Sequence, residues 1–171
     1  VEQVGVALAA AECAGGAAWC VETAAAYAQV RRQFGRPIGQ FQAVKHRCAD
    51  MLVALEQVRA VAWDAAVALD GADPHGPEAA LSAAAAGAIA FEGFATVAKD
   101  TIQVLGGIGF TWEHDAHLYL RRALCLRQIF GGAPPWRRAA AAAALDGVRR
   151  HLTLDLPEGA AAGRDGVRVE I

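Results

Sequence analysis

Long alanine-rich stretches with a helical repeat, cut at intervals by glycine and proline, constrain the fold of this chain more than any other feature. Over residues 4–31, small and apolar residues such as Leu8, Gly15 and Trp19 recur every three or four positions. This spacing is typical of an α-helix that packs on one side. Convincing strand alternation is confined to the short segments HLTLDL and VRVEI near the carboxyl end. The chain is therefore predicted to be all-α.

Breaks between the helical stretches set the expected number of helices. Glycine and proline interrupt the pattern in RRQFGRPIGQF, DGADPHGPE and GGIGF, and Pro135 is well placed in the first turn of a last helix. The predicted helices cover about residues 4–31, 41–70, 77–105, 113–124 and 135–150. Short connections between them favour an antiparallel four-helix bundle over residues 1–150, followed by a tail or linker over 151–171.

Composition argues against several classes of protein. The formal net charge is −2 and the 16 basic residues are spread along the chain, so a nucleic-acid partner is not expected. The longest uncharged apolar stretch, residues 79–91, is shorter than a bilayer span, so a membrane partner is not expected either. No leader opens the sequence, which predicts a cytoplasmic location.

The sequence also contains few residues suited to nucleophilic catalysis or to thiol chemistry. Ser82 is the single serine and lies in an alanine run, which argues against a serine nucleophile. The four cysteines are far apart without a C-x-x-C pair, so reduced thiols are expected rather than disulfides or zinc ligands.

Two segments have the residue types of a ligand site. Arg31, Gln33 and Phe34 follow the first helix, where an arginine can hold a phosphate and an aromatic ring can cover a cofactor ring. A solvated helix connection explains the same residues. The glycines of QVLGGIGF follow a helix rather than a strand, so they do not fit a dinucleotide fingerprint. They indicate close backbone approach, either to a neighbouring helix or to a ligand.

The segment EHDAH raises the question of a metal site. His114 and His117 are three residues apart on one predicted helix face, but Glu-x-x-His, which di-iron bundles require, is absent from the sequence. Glu113 and Asp115 are expected in the first turn of a helix, where the helix dipole favours acids. No metal is predicted.

Taken in order, these motifs resemble one known family. YAQVRRQFGRPIGQFQAVKHRCADM, followed about sixty residues later by QVLGGIGF and then by LRRA, is similar to the C-terminal domain of acyl-CoA dehydrogenases. The resemblance covers about residues 5–150 and implies a four-helix bundle that normally accompanies an N-terminal helical domain and a middle β domain. It implies FAD-dependent removal of two hydrogens from an acyl-CoA thioester, on fatty or steroid side-chain substrates.

The same resemblance implies which residues contact the cofactor. Arg31 matches the arginine that reaches the FAD pyrophosphate of a neighbouring subunit. The other residues implied to approach that dinucleotide are Gln33, Phe34, Gln42, Gln103, Gly106 and Gly107. The family assembles as dimers or dimers of dimers, so a homo- or hetero-oligomer is expected.

The catalytic base is where the sequence departs from the family. Gly131 occupies the place of the usual glutamate, and Gly5 occupies the alternative position on the first helix. Glycine cannot accept a proton. Glu2, Glu113 and Asp115 remain as substitute acids, and no catalytic residue is assigned. The chain is expected to be inactive alone, either as a fragment or as the non-catalytic partner of another subunit. The tail is similar to a linker leading into a second dehydrogenase half, and a frayed terminus is the alternative.

Overall fold

The computed structural model describes residues 2–151, and within this range the fold is all-α, as predicted. The helices are α1 Glu2–Val30, α2 Gln42–Asp70, α3 Pro77–Leu105, α4 Ala116–Ile129 and α5 Ala133–Leu145. Short 3₁₀ turns lie at Ile38–Gln40, before α2, and at Gly106–Phe110, after α3. The strand-like alternation noted in HLTLDL and VRVEI falls, apart from His151, in residues 152–171, which with the rest of the tail lie outside the described residues.

Helix α3 is the centre of the bundle because it packs against each of the other four helices. Small residues allow these close contacts. Gly16 of α1 faces the ring of Phe94, and Gly87 faces the indole of Trp136 on α5. Phe94 is almost fully buried. The alanine-rich composition therefore brings helix axes close together, with a few aromatic rings filling the space that glycine leaves.

Side-chain pairs between helices define their relative directions. Thr101 of α3 donates a hydrogen bond to the carbonyl of Cys20 (3.2 Å), while Phe94 packs near Gly16, so α1 and α3 run parallel. On α2, Arg47 forms an ion pair with Asp100, and Val58 packs near Gly93, so this helix runs the other way. Helices α4 and α5 also oppose α3, because Arg127 pairs with Glu92 and Trp136 packs near Gly87. Neighbours in sequence are thus antiparallel except for α4 and α5.

The last two helices have boundaries that differ from the sequence prediction. Helix α4 begins at Ala116 rather than Glu113 and continues to Ile129 rather than Leu124. Its apolar residues Ala123 and Leu126 are buried, which explains the longer helix. The last helix ends at Leu145 rather than near Arg150, because Gly147 adopts a left-handed φ of 84° and turns the chain.

The connection between α1 and α2 contains a two-stranded hairpin that the sequence did not predict. Strand β1 is Arg32–Gln33 and strand β2 is Arg36–Pro37, paired in antiparallel register. The turn uses left-handed backbone at Phe34 (φ 51°) and Gly35 (φ 79°). Such a conformation is costly for a bulky side chain, so the hairpin geometry must be held by its surroundings.

Two segments reach the length and hydropathy of a membrane span, contrary to the expectation from residues 79–91. These are Glu2–Val30 and Pro77–Phe110, with mean hydropathies of 1.6 and 1.5 in their most apolar windows. In the second segment 61% of that window is buried within the bundle, and in the first 39%. Core helices of globular proteins meet the same criterion, so hydropathy alone assigns neither helix to a membrane.

Buried and exposed cysteines are expected to differ in their rates of alkylation. Burial raises the pKa of the Cys13 and Cys20 thiols to about 12, so the nucleophilic thiolate is scarce at pH 8. Cys125 is exposed on α4. Iodoacetamide is expected to alkylate Cys125 in the native chain, and to reach the other two after unfolding in urea. Peptide mass spectrometry measures the rates. Equal labelling of Cys13, Cys20 and Cys125 in the native chain would contradict this packing.

Candidate functional site

A cleft of about 380 Å³ lies where the carboxyl ends of α1 and α3 meet. The polar side chains of Arg31 and Gln33 line it, together with Gly106 and Gly107. Apolar side chains complete the lining: Tyr27, Ile38, Val104, Leu105 and Ile108. The cleft therefore brings a cation and glycine backbone into one lining, a combination suited to a phosphate-bearing ligand with an apolar portion.

The end of α1 positions the cation. The Arg31 amide donates to the carbonyl of Tyr27 (2.9 Å), which continues the helical pattern by one residue. The Ile38 amide donates to the carbonyl of Arg31 (2.8 Å), which ties the far side of the hairpin back to this point. Within the hairpin, the Arg32 guanidinium donates to the carbonyl of Gly35 (2.9 Å). Arg32 is thus used to stabilise the turn, whereas Arg31 lines the cleft.

The hairpin tip carries an exposed aromatic pair. Phe34 is 91% exposed, and its ring centroid lies 6.0 Å from that of Phe41 in an edge-on arrangement. The Arg36 guanidinium carbon lies 4.2 Å from the Phe41 ring centroid, a cation–π contact that supports the pair. Gln42 is exposed as the first residue of α2. Phe34 and Gln42 belong to the same connection as Arg31, but neither lines the cleft.

The end of α3 provides the glycine side of the cleft. Gly106 has a φ of 64°, and its amide donates to the carbonyl of Ile102 at the end of the helix. A Cβ at Gly106 or Gly107 would meet no heavy atom within 4 Å, so their backbone faces open space. Of the two alternatives left open by the sequence, a neighbouring helix and a ligand, the described residues leave room for a ligand.

Gln103 lies in an adjoining groove between α3 and α4 rather than in the cleft. The groove has a volume of about 550 Å³ and includes Lys99, Phe110 and Arg127. Phe110 is 77% exposed. The structure thus unites four of the seven proposed cofactor residues in one cleft and distributes the other three around it. Sequence reasoning missed Tyr27 and Ile38 as lining residues. The position of Tyr27 one helical turn before Arg31 is a signal that could have identified it.

The second glycine pair terminates α4. Gly131 and Gly132 have φ values of 77° and 64°, and the Gly132 amide donates to the carbonyl of Arg127 (2.8 Å). These are features of a helix end that needs left-handed backbone. A carboxylate that sequence reasoning missed lies beside this turn. One oxygen of Glu92 is 3.4 Å from the position of a Cβ on Gly132, and the other is 3.3 Å from Nη1 of Arg127.

None of the substitute acids lines the cleft. Glu2 is in the first turn of α1, at the opposite end of that helix from the cleft and roughly 42 Å from its last residue by helical rise. Glu113 and Asp115 are exposed and precede α4, so the prediction that they lie in its first turn was wrong. The chain forms a turn after Phe110 and becomes helical at Ala116.

His114 and His117 make local contacts at the start of α4. The His114 Nδ1 accepts a hydrogen bond from the Ala116 amide (3.1 Å), and the His117 Nδ1 lies 2.8 Å from the His114 carbonyl oxygen. Within residues 2–151, no group of three or more His, Cys, Asp or Glu side chains has an arrangement suited to a metal ion. These histidines therefore order the loop before α4.

The sequence and the fold both match known proteins. The acyl-CoA dehydrogenase C-terminal domain family matches residues 4–145. Acyl-CoA dehydrogenase FadE34 of Mycobacterium tuberculosis is 52% identical over all 171 residues, which span 23% of that relative. The chain is thus similar to about a quarter of FadE34.

Solved structures give the same fold. The ChsE4–ChsE5 complex from Mycobacterium tuberculosis is 30% identical with a TM-score of 0.78, over 85% of this chain and 38% of that one. PigA with FAD and proline is 28% identical with a TM-score of 0.75, over 82% of this chain and 36% of that one. Because the family match covers most of the bundle, the chain belongs to the acyl-CoA dehydrogenase family and comprises its C-terminal helical domain.

Proposed function

We propose that this domain forms one wall of an FAD site shared with a neighbouring subunit, in an enzyme that oxidises an acyl-CoA thioester. The observation that carries the proposal is the cleft itself. It unites Arg31 and Gln33 with Gly106 and Gly107, which are more than seventy positions away in the sequence. PigA, a structural neighbour solved with FAD, supports the choice of cofactor.

The residues present fit the diphosphate part of such a cofactor. The Arg31 guanidinium can donate two parallel hydrogen bonds to phosphate oxygens. Gly106 and Gly107 expose backbone that a side chain would otherwise screen, and a Cβ at either position would meet nothing. Gln33 in the cleft and Gln103 in the adjoining groove supply side-chain amides that can hydrogen-bond to the cofactor. The exposed Phe34 ring can cover an apolar portion of the cofactor, and Gln42 lies at the same connection.

Chemically, α,β-dehydrogenation needs a base for the α-proton and an acceptor for the β-hydride. When bound, FAD would supply the hydride acceptor. This chain supplies no carboxylate at residue 131, because Gly131 stands where the family has glutamate and its φ of 77° serves the end of α4. We therefore assign this domain to cofactor binding and assembly, with the proton taken by another part of the complete enzyme.

Assembly with a second subunit follows from the one-sided nature of the cleft. Its lining ends at the hairpin and the α3 terminus, so a cofactor there would leave a large part of its surface for another protein. The ChsE4–ChsE5 complex, whose name gives two different proteins, supports a hetero-oligomer. A purely structural subunit is the competing function, and flavin binding separates the two.

Replacement of the cleft cation is expected to weaken flavin binding. In the chain assembled with the dehydrogenase subunit or domains that complete the site, Arg31→Ala should raise the dissociation constant for FAD about 10- to 100-fold, since charge-assisted hydrogen bonds are lost. Flavin absorbance after gel filtration, followed by titration with FAD, measures the change.

Arg137→Ala is the matched control, because this arginine is exposed on α5 and lines neither the cleft nor its adjoining groove. It should bind FAD like the unchanged protein. If no yellow complex forms with any partner, the cofactor proposal fails and the structural function is favoured. Equal weakening by both substitutions would indicate a general loss of charge rather than a contact at Arg31.

A further inference from the structure

A second cavity lies at the other end of the bundle, where α2, α3 and the end of α5 meet. Its volume is about 500 Å³, within the range of small-molecule sites. Leu81, Ala85, Ala144 and Val148 give it a mainly apolar lining. Ser82, which also lines it, precedes Gly106 by 24 positions along α3, roughly 36 Å by helical rise. This cavity is therefore separate from the proposed cofactor cleft.

Ser82 gives the cavity an unused hydrogen-bonding group. Its side chain is buried, with 2% relative exposure, and its Oγ has no hydrogen-bond partner in the part of the chain that the structure describes. A buried hydroxyl without a partner destabilises the folded state, whereas alanine would fit the surrounding alanine run without that penalty. A ligand oxygen in the cavity would supply the missing acceptor.

The two arginines at the edge of the cavity differ in their partners. The Arg150 guanidinium donates to two carboxylates, those of Asp64 (3.0 Å) and Glu78 (3.1 Å). Arg149 instead donates through Nη1 to the carbonyls of Ala144 (2.9 Å) and Val148 (2.8 Å). Among the described residues it makes no ion pair. Within residues 2–151, Arg149 is thus the cation at this edge that has no carboxylate partner, although the two arginines and the two carboxylates together are neutral.

We propose that this cavity binds a medium-chain aliphatic carboxylate. The hydrocarbon chain would pack against Leu81, Ala85 and Val148, the carboxylate would pair with Arg149, and an oxygen of the same molecule would accept from Ser82. The apolar lining, the unpartnered hydroxyl and the cation bonded only to backbone carbonyls each match one part of such a ligand. The site is independent of the flavin proposal, since it shares no residue with the cleft.

Calorimetric titration of the chain with dodecanoate, below its micelle concentration, tests the proposal. One molecule per chain is expected to bind saturably. Arg149→Gln should weaken binding about tenfold, because a charge-assisted contact is lost. Arg137 is exposed on helix α5 and does not line the cavity, so Arg137→Gln should leave binding unchanged. Dodecanol should bind about as weakly to the unchanged chain as dodecanoate does to Arg149→Gln.

Two further variants test the cavity itself. Ser82→Ala should raise the thermal midpoint of the free chain while weakening dodecanoate binding severalfold, opposite effects that a merely structural serine would not give. Ala85→Phe should abolish binding by filling the space. Saturable binding that persists in Ala85→Phe, or an affinity for dodecanoate that Arg149→Gln leaves unchanged, would overturn the proposal. So would the absence of saturable heat, the result expected if another protein segment occupies the cavity.

Discussion

Gly16→Ala is expected to lower the free energy of unfolding by about 1–2 kcal/mol, although alanine is the better helix former. A Cβ at this position would lie 2.3 Å from Cζ of the Phe94 ring, far inside van der Waals contact. Phe94 is 1% exposed at the centre of the bundle, so its ring has little room to withdraw. Overpacking a core costs about 1–3 kcal/mol. The gain from replacing a helical glycine offsets about 0.5–1 kcal/mol of this.

The neighbouring glycine provides the control. Gly15 lies on the same helix, and a Cβ there would meet nothing within 4 Å. Gly15→Ala should therefore stabilise the chain by about 0.5–1 kcal/mol through helix propensity alone. Urea unfolding followed by circular dichroism at 222 nm measures both variants. A Gly16→Ala chain as stable as Gly15→Ala would show that α1 and α3 do not approach as closely as the structure places them.

The helical bundle was predictable because its cause is local. Helix α3 runs from Pro77 to Leu105, as the sequence predicted, since a first-turn proline and a following glycine mark its ends. The last two helices were less predictable. Their ends depend on left-handed backbone at Gly131, Gly132 and Gly147, and sequence alone does not distinguish such a glycine from one tolerated inside a helix.

The candidate site was predictable in its polar residues and not in its shape. The family resemblance named Arg31 and Gly106, but no helical pattern indicated that the two chain segments meet. The hairpin between α1 and α2 was missed because Phe34 adopts φ of 51°, which residue propensities disfavour for an aromatic side chain. Tertiary contacts hold this turn, among them the hydrogen bond from the Ile38 amide to Arg31.

At Gly131 the structure adds information on backbone conformation that a comparison of sequences does not contain. The resemblance implies that a glutamate would stand here, and the structure adds that Gly131 has left-handed backbone. Gly131 is exposed, and a Cβ there would meet Pro135 at 3.4 Å, an ordinary contact. A longer side chain can therefore be accommodated, at a backbone cost of about 1–2 kcal/mol.

Gly131→Glu is accordingly expected to introduce proton-transfer activity in the assembled flavoenzyme. If the rest of the site is present, as the proposed function requires, a carboxylate at this position should raise the rate of α-hydrogen exchange of an acyl-CoA thioester about 100-fold. Exchange in deuterated water, followed by mass spectrometry of the recovered thioester, measures that rate without requiring complete oxidation of the substrate.

Gly131→Gln distinguishes the effect of a carboxylate from the effect of backbone strain at this position. Glutamine has nearly the same shape and the same left-handed backbone cost, but its amide cannot accept the α-proton at neutral pH. Thermal midpoints of the two variants should agree, while exchange should rise only with glutamate. Equal exchange rates in both, with flavin retained, would mean that this turn does not face the thioester. The domain would then support the cofactor without bordering the reacting atoms.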